Sequence, residues 1–203
     1  MSGSRDGTYR ALIAELAGLV RLAHTALRGA TAALAEPVGG RDGIPAAEKS
    51  LAELRARIEE DAAGTLGGQA GVVMGVHVGT EVESLGQLAQ RLLEAAWARQ
   101  EREPVDGRLR APLRGIADTA LDVVARAADV LESGAPEDVA DLLADVHEVG
   151  QRQRLLYELL IHEEEVDPVD SADLVLLSCC YLHCADHAGS IARHAMLFSH
   201  TGA

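Results

Sequence analysis

Two thiols and two imidazoles stand close together near the C-terminal end of this 203-residue chain: Cys180, His183, Cys184 and His187, at positions i, i+3, i+4 and i+7. By ligand type they make a zinc set. The spacing suits a metal poorly, because four ligands on one straight helix lie along a line and close no tetrahedron without a second helix. Cys184 also belongs to the apolar series of its helix, where an unpaired thiol behaves as a small hydrophobe. Packing is therefore the plainer reading. A second candidate group is Glu83, Gln87, Gln90 and Glu94, four oxygen-bearing side chains on the stripe opposite the core of a helix. Carboxylates four residues apart on one helix can jointly hold a hard or borderline cation. The stripe expected to be equivalent near the C-terminus, Leu182, Asp186, Gly189 and Arg193, is far less suited to one.

Catalytic chemistry is harder to place. The chain has no Gly-x-Ser-x-Gly elbow, and Gly39-Gly40 and Gly67-Gly68 lack the Gly-Lys-Ser/Thr that follows a phosphate-cradling loop. The remaining histidines, His24, His77, His147, His162, His194 and His200, are scattered and have no obvious acid, base or nucleophile at helical spacing that would make a reaction specific. His147-Glu148 and His162-Glu163 run in the wrong order for the Glu-x-x-His pairs of a di-iron carboxylate bundle. No reaction is expected of the chain. Glu163 to Glu165 read as a solvated helix end.

The elements that carry these residues are helices. Ala and Leu account for 63 residues, while Trp, Tyr and Phe together number five, an alphabet that favours helix over strand. Apolar residues recur at three- and four-residue spacing in six stretches. The first runs from Tyr9 to Leu34. The second, Leu51 to Ala62, is closed by Gly64, Gly67 and Gly68; the third, on Val78, Val82, Leu85, Ala89, Leu92 and Ala96, ends at Glu101 to Pro104. A fourth runs from Leu109 to Leu131, stopped by Gly134 and Pro136, and a fifth from Val139 to Leu160. A polar stretch, 163–171, containing Pro168, precedes the sixth, on Leu174, Leu177, Tyr181, Cys184, Ala188, Ile191, Ala195 and Phe198. Shifting the six core positions of the third helix by 99 residues lands on six of the sixth. The expected fold is all-α: two tandem three-helix bundles, over 7–102 and 106–201.

Composition narrows the partners. A net charge of −14, with Lys49 the only lysine, disfavours wrapping nucleic acid. The longest apolar run, Leu174 to Cys184, is interrupted and far shorter than the ~20 residues that span a bilayer, so no membrane span is expected. The polar start lacks a signal pattern, and three clustered cysteines make no disulfide framework; a cytoplasmic location is expected.

Two segments carry a resemblance. CYLHCADHAGSIAR, from Cys180 to Arg193, is similar to the second signature of PhoU-domain proteins, approximately RYLERIGDHAVNIAE, with Asp186, His187, Ala188, Ile191 and Ala192 matching. EVESLGQLAQRLLEAA, from Glu81, resembles the family's DLERIGDLAVNIAR, with Val82 in place of Leu and Glu83, Gly86, Leu88 and Ala89 matching. The resemblance implies two tandem three-helix bundles and a regulatory adaptor of phosphate uptake and phosphate-responsive signalling with no reaction of its own. The implied partners are the ATPase subunit of a phosphate importer, a phosphate-sensing histidine kinase and a second copy of the chain. It also implies an iron or zinc site on the outside of each bundle, mapped here to Glu83, Gln87 and Asp186. Those motifs are eroded: Gln87 and Leu182 stand where the family has acids, the middle-helix acids fall on Ala52 and Gly150, and Arg193 brings a positive charge. No cofactor is expected, with iron or zinc implied only if the family site survives. The alternative reading is a metal-binding helical bundle that uses outward-facing carboxylates.

Overall fold

The computed structural model describes residues 3–35, 45–46, 48–50, 52–53, 56, 68–99, 102, 105–163 and 166–199. Among them every regular element is helical and there is no strand. Five helices have defined ends: α1 (Gly3–Ala35), α2 (Gly68–Arg99), α3 (Gly107–Ser133), α4 (Pro136–His162) and α5 (Pro168–Ser199). Described residues between 45 and 56 are helical too, on the stretch expected as the second helix, most of which lies outside the described residues.

Local chemistry sets several of the ends. The Asp106 carboxylate accepts the Arg108 amide at 2.8 Å and caps α3. Gly134 closes that helix in the left-handed conformation, φ 60°, its amide donating to the Val130 carbonyl at 2.8 Å. Pro136 then takes the first position of α4, where a missing amide proton costs nothing, and Glu137 and Asp138 favour its positive end. At α5 the expected start after Ser171 is corrected. Asp167 accepts the amides of Val169 and Asp170 at 2.7 and 3.3 Å, and Pro168 opens the helix rather than interrupting the chain before it. Similarly, Gly68, expected to help terminate the second helix, opens α2, ten residues before the expected Val78.

The helices form a bundle. α1 packs on α2 and α3, α5 packs on α2 and α3, and α4 lies against α3 and α5. Two contacts along α2 show that it runs antiparallel to α5: Arg99 at its end bonds to Asp170, and Glu81 to His187. One continuous core joins all five helices. All six apolar positions expected for the core of α2, and the six found 99 residues on in α5, are buried. Alanines supply much of the rest, among them Ala17, Ala23, Ala26 and Ala30 on α1 and Ala117, Ala120, Ala127 and Ala128 on α3. Tyr181 is 2% exposed and donates its hydroxyl to Thr31 Oγ1 at 3.1 Å, while the Thr31 hydroxyl donates to the Leu27 carbonyl at 2.8 Å. The polar tip of the largest buried side chain is thereby satisfied.

Pro168–Leu197 is long and apolar enough, by length and composition, to cross a membrane, a point that counting an unbroken apolar run overlooks. Half of its most apolar window is buried inside the bundle against the neighbouring helices.

Candidate functional site

The two faces expected to bind metal fare differently. On α2, Glu83, Gln87 and Glu94 are exposed and Gln90 is half-buried, its amide donating to the Glu94 carboxylate at 2.9 Å. On α5, Asp186 and Arg193 are exposed, but Gly189 is buried and Leu182 half-buried against the core. A Cβ at Gly189 would stand 3.3 Å from both Leu143 and Val146 of α4, and one at Gly150 would stand 3.8 Å from Leu182. The stripe read as pointing outward is thus partly covered by a helix. Rotating 100° per residue from a single core direction fails there because α5 has neighbours on three sides, α2, α3 and α4. Where the resemblance places acids, Leu182 and Gly150 stand near each other, and neither offers an oxygen ligand.

The cysteine and histidine group is divided in the same way. Cys184 is fully buried, Cys180 and His187 are half-buried, and His183 is exposed. Burial pushes the Cys184 thiol well above its ordinary range, and it raises that of Cys180 against the opposing pull of Arg91. A thiol held protonated is a poor ligand and a poor nucleophile. Among the described residues no group of three or more His, Cys, Asp or Glu side chains is arranged to hold a metal ion.

What the structure does assemble is a polar seam between α2 and α5. Within it Glu81 accepts two hydrogen bonds of 2.6 Å, one from His187 Nδ1 and one from the Ser190 hydroxyl. A carboxylate only accepts, so Nδ1 carries the proton. The carboxylate lies between the serine and the imidazole, which directs the hydroxyl proton to the acid and not to the ring. That is not the order of a Ser-His-acid nucleophile. Toward one end His77 stacks on His194, ring centroids 4.4 Å apart and planes inclined by 22°. At the other end Arg99 and Arg102 clasp Asp170 and Asp173. Arg99 bonds to Asp170 at 3.2 Å and also to Asp173, while Arg102 reaches Asp173 at 2.9 Å and Asp170 at 3.0 Å.

No protein-family model and no curated protein matches this chain.

The seam's partners were invisible to spacing along one helix. His77 and His194, read as lacking chemical partners, lie 117 residues apart in sequence and meet only because α2 and α5 run antiparallel. The pairs His77 with His194, Glu81 with His187 and Arg99 with Asp173 share nearly the same sum of residue numbers. That constancy would expose the register once the two helices were known to be neighbours. A smaller polar cluster joins α4 to α5. The Gln153 amide donates to Ser178 at 3.4 Å and to the Cys179 sulfur at 3.5 Å, and the Tyr157 hydroxyl lies 3.2 Å from that sulfur. Burial, then the bond to Cys179, raises the Tyr157 phenol above its ordinary range. This cluster ties two helices together and presents no activated group.

Proposed function

We propose that the chain is a PhoU-like regulatory adaptor of phosphate uptake and phosphate-responsive signalling that works by docking to other proteins. One observation carries the reading: six buried positions of α2 recur, all buried, 99 residues later in α5. A duplicated three-helix unit would produce such a recurrence, and these two helices bear the segments that resemble the PhoU signatures. The packing agrees with a paired arrangement, since α1 and α2 meet α3 and α5 through one shared core. In this reading the chain is cytoplasmic and homodimeric, carries out no reaction, and uses its exposed helix faces to contact the ATPase subunit of a phosphate importer or a phosphate-sensing histidine kinase.

Affinity capture of the intact chain against those two partners tests the proposal directly, together with a phosphate-response assay after deletion of its gene. Retention of either partner and a changed response to phosphate supply are expected. Contact with neither, together with an unchanged response, would sink the adaptor reading. Light scattering at the mass of a single 21.4 kDa chain would remove the homodimer.

A further inference from the structure

Helix α5 has α2, α3 and α4 on three sides, and its fourth side is bare. Between residues 172 and 197 its exposed positions are Ala172, Leu176, His183, Asp186, Arg193 and Leu197. They fall 4, 7, 3, 7 and 4 residues apart, the a and d places of a heptad, which keep one seam turned toward a neighbouring helix. Leu176 and Leu197 are 64% and 60% exposed, one toward each end of the seam, with the charged residues between them. The seam holds one aspartate and one arginine, whose charges cancel, on a chain of net charge −14. Two copies of so acidic a chain repel each other over most of their surfaces, and a neutral strip with apolar ends is where they can meet.

The spacing of the six positions also reads the same in reverse. We propose that this open side of α5 is a homodimer face, on which a second copy of the chain packs its own α5 antiparallel about a two-fold axis level with Cys184 and Ala185. The proposal rests on the homodimer of the adaptor reading and gives it a location. An axis there sets Ala172 against Leu197 of the second copy, Leu176 against the stem of its Arg193, and His183 against its Asp186. Each contact occurs twice, as an isologous interface requires. The two remaining heptad places, Cys179 and Ser190, fall opposite each other; both are half-buried and small, which lets the helices approach closely. Charge selects the direction. In a parallel pair Asp186 would face Asp186 and Arg193 would face Arg193, whereas the antiparallel pair brings imidazole to carboxylate and covers a leucine with an arginine stem.

Sedimentation and light scattering of the full chain test the face. A mass of twice 21.4 kDa is expected. Leu176→Glu and Leu197→Glu put a carboxylate into the contact without touching the core, so each should weaken dimerisation by ~10-fold or more while the circular dichroism stays that of the parent. Asp186→Lys should weaken it too. The double variant His183→Asp with Asp186→Lys, which exchanges the two sides of the pair, should recover the parent's dimer. A dimer indifferent to both leucine variants would overturn this face and leave the homodimer of the adaptor reading on another surface. A single-chain mass at roughly 100 µM would overturn the face and the homodimer together, without bearing on contacts with a transporter subunit or kinase. A monomeric chain that binds one of those partners and loses it in Leu176→Glu would overturn the proposal by assigning the face to that partner.

Discussion

Two side chains show how burial sets properties at the residue scale. His24 is half-buried on α1. Desolvation first, and then the Arg28 charge, hold its imidazole below the ordinary 6.5 against the pull of Asp122. The folded chain therefore takes up this proton less readily than the unfolded chain. The associated stability is fully present above the unfolded value and is lost as pH falls below it. We expect His24→Leu to flatten the decline in melting temperature between pH 7.5 and 5.5; parallel slopes for variant and parent would disprove the assignment. Tyr181 tests the opposite kind of group, one whose polar tip is satisfied. Tyr181→Phe removes the bond to Thr31 and should cost about 1 kcal/mol, since Thr31 keeps its own bond to Leu27. Tyr181→Ala also leaves a large cavity and should cost ~3–5 kcal/mol in urea unfolding. Equal losses for the two would mean that the ring contributes little to the core.

At the scale of the element, glycines separate helix propensity from packing. Gly79 of α2 has open space where a Cβ would go, so Gly79→Ala should stabilise by ~0.5–1 kcal/mol through helix propensity. Gly189 of α5 faces Leu143 and Val146 at 3.3 Å, so Gly189→Leu should push α4 off its seat at a cost of ~1–3 kcal/mol despite the better propensity. Urea unfolding of the two variants checks both signs, and stabilisation by Gly189→Leu would show that the α4–α5 contact is looser than described. The same contact marks what the sequence could tell. The core faces of α2 and α5 were legible because a 3.6-residue period needs no knowledge of neighbours. The cover over Leu182 and Gly189 was not, because it depends on where α4 docks. Nor were the bonds of Glu81 to His187 and Ser190, or the stack of His77 on His194, which require the antiparallel register of α2 and α5. Pro168 was misplaced for a local reason, since proline is at home in the first turn once Asp167 caps the amides that follow.

The net charge of −14 bears on the whole molecule through where its counter-charges sit. Several arginines are used to join helices: Arg21 of α1 reaches Asp129 and Glu132 of α3 at 3.0 and 2.9 Å, and Arg99 and Arg102 hold the start of α5. These ties cross between the two expected repeats, as does the core, in which Leu16, Val20 and Leu27 of α1 belong to the same apolar cluster as Val123 and Val130 of α3. The two expected repeats thus share one core and are not independent folding units. If α3 and α5 depend on α1 and α2 to cover their inner faces, the second repeat alone leaves that apolar surface in water at a cost of ~25 cal/mol per Å2, against the ~5–15 kcal/mol by which a whole domain is stable. The intact chain should then unfold in one transition by circular dichroism and calorimetry, with calorimetric and van't Hoff enthalpies equal. A fragment spanning 106–203 should show no cooperative transition as a monomer, or should self-associate through the uncovered faces of α3 and α5. A fragment that is monomeric by light scattering and melts sharply near the midpoint of the full chain would show instead that each repeat holds a core of its own.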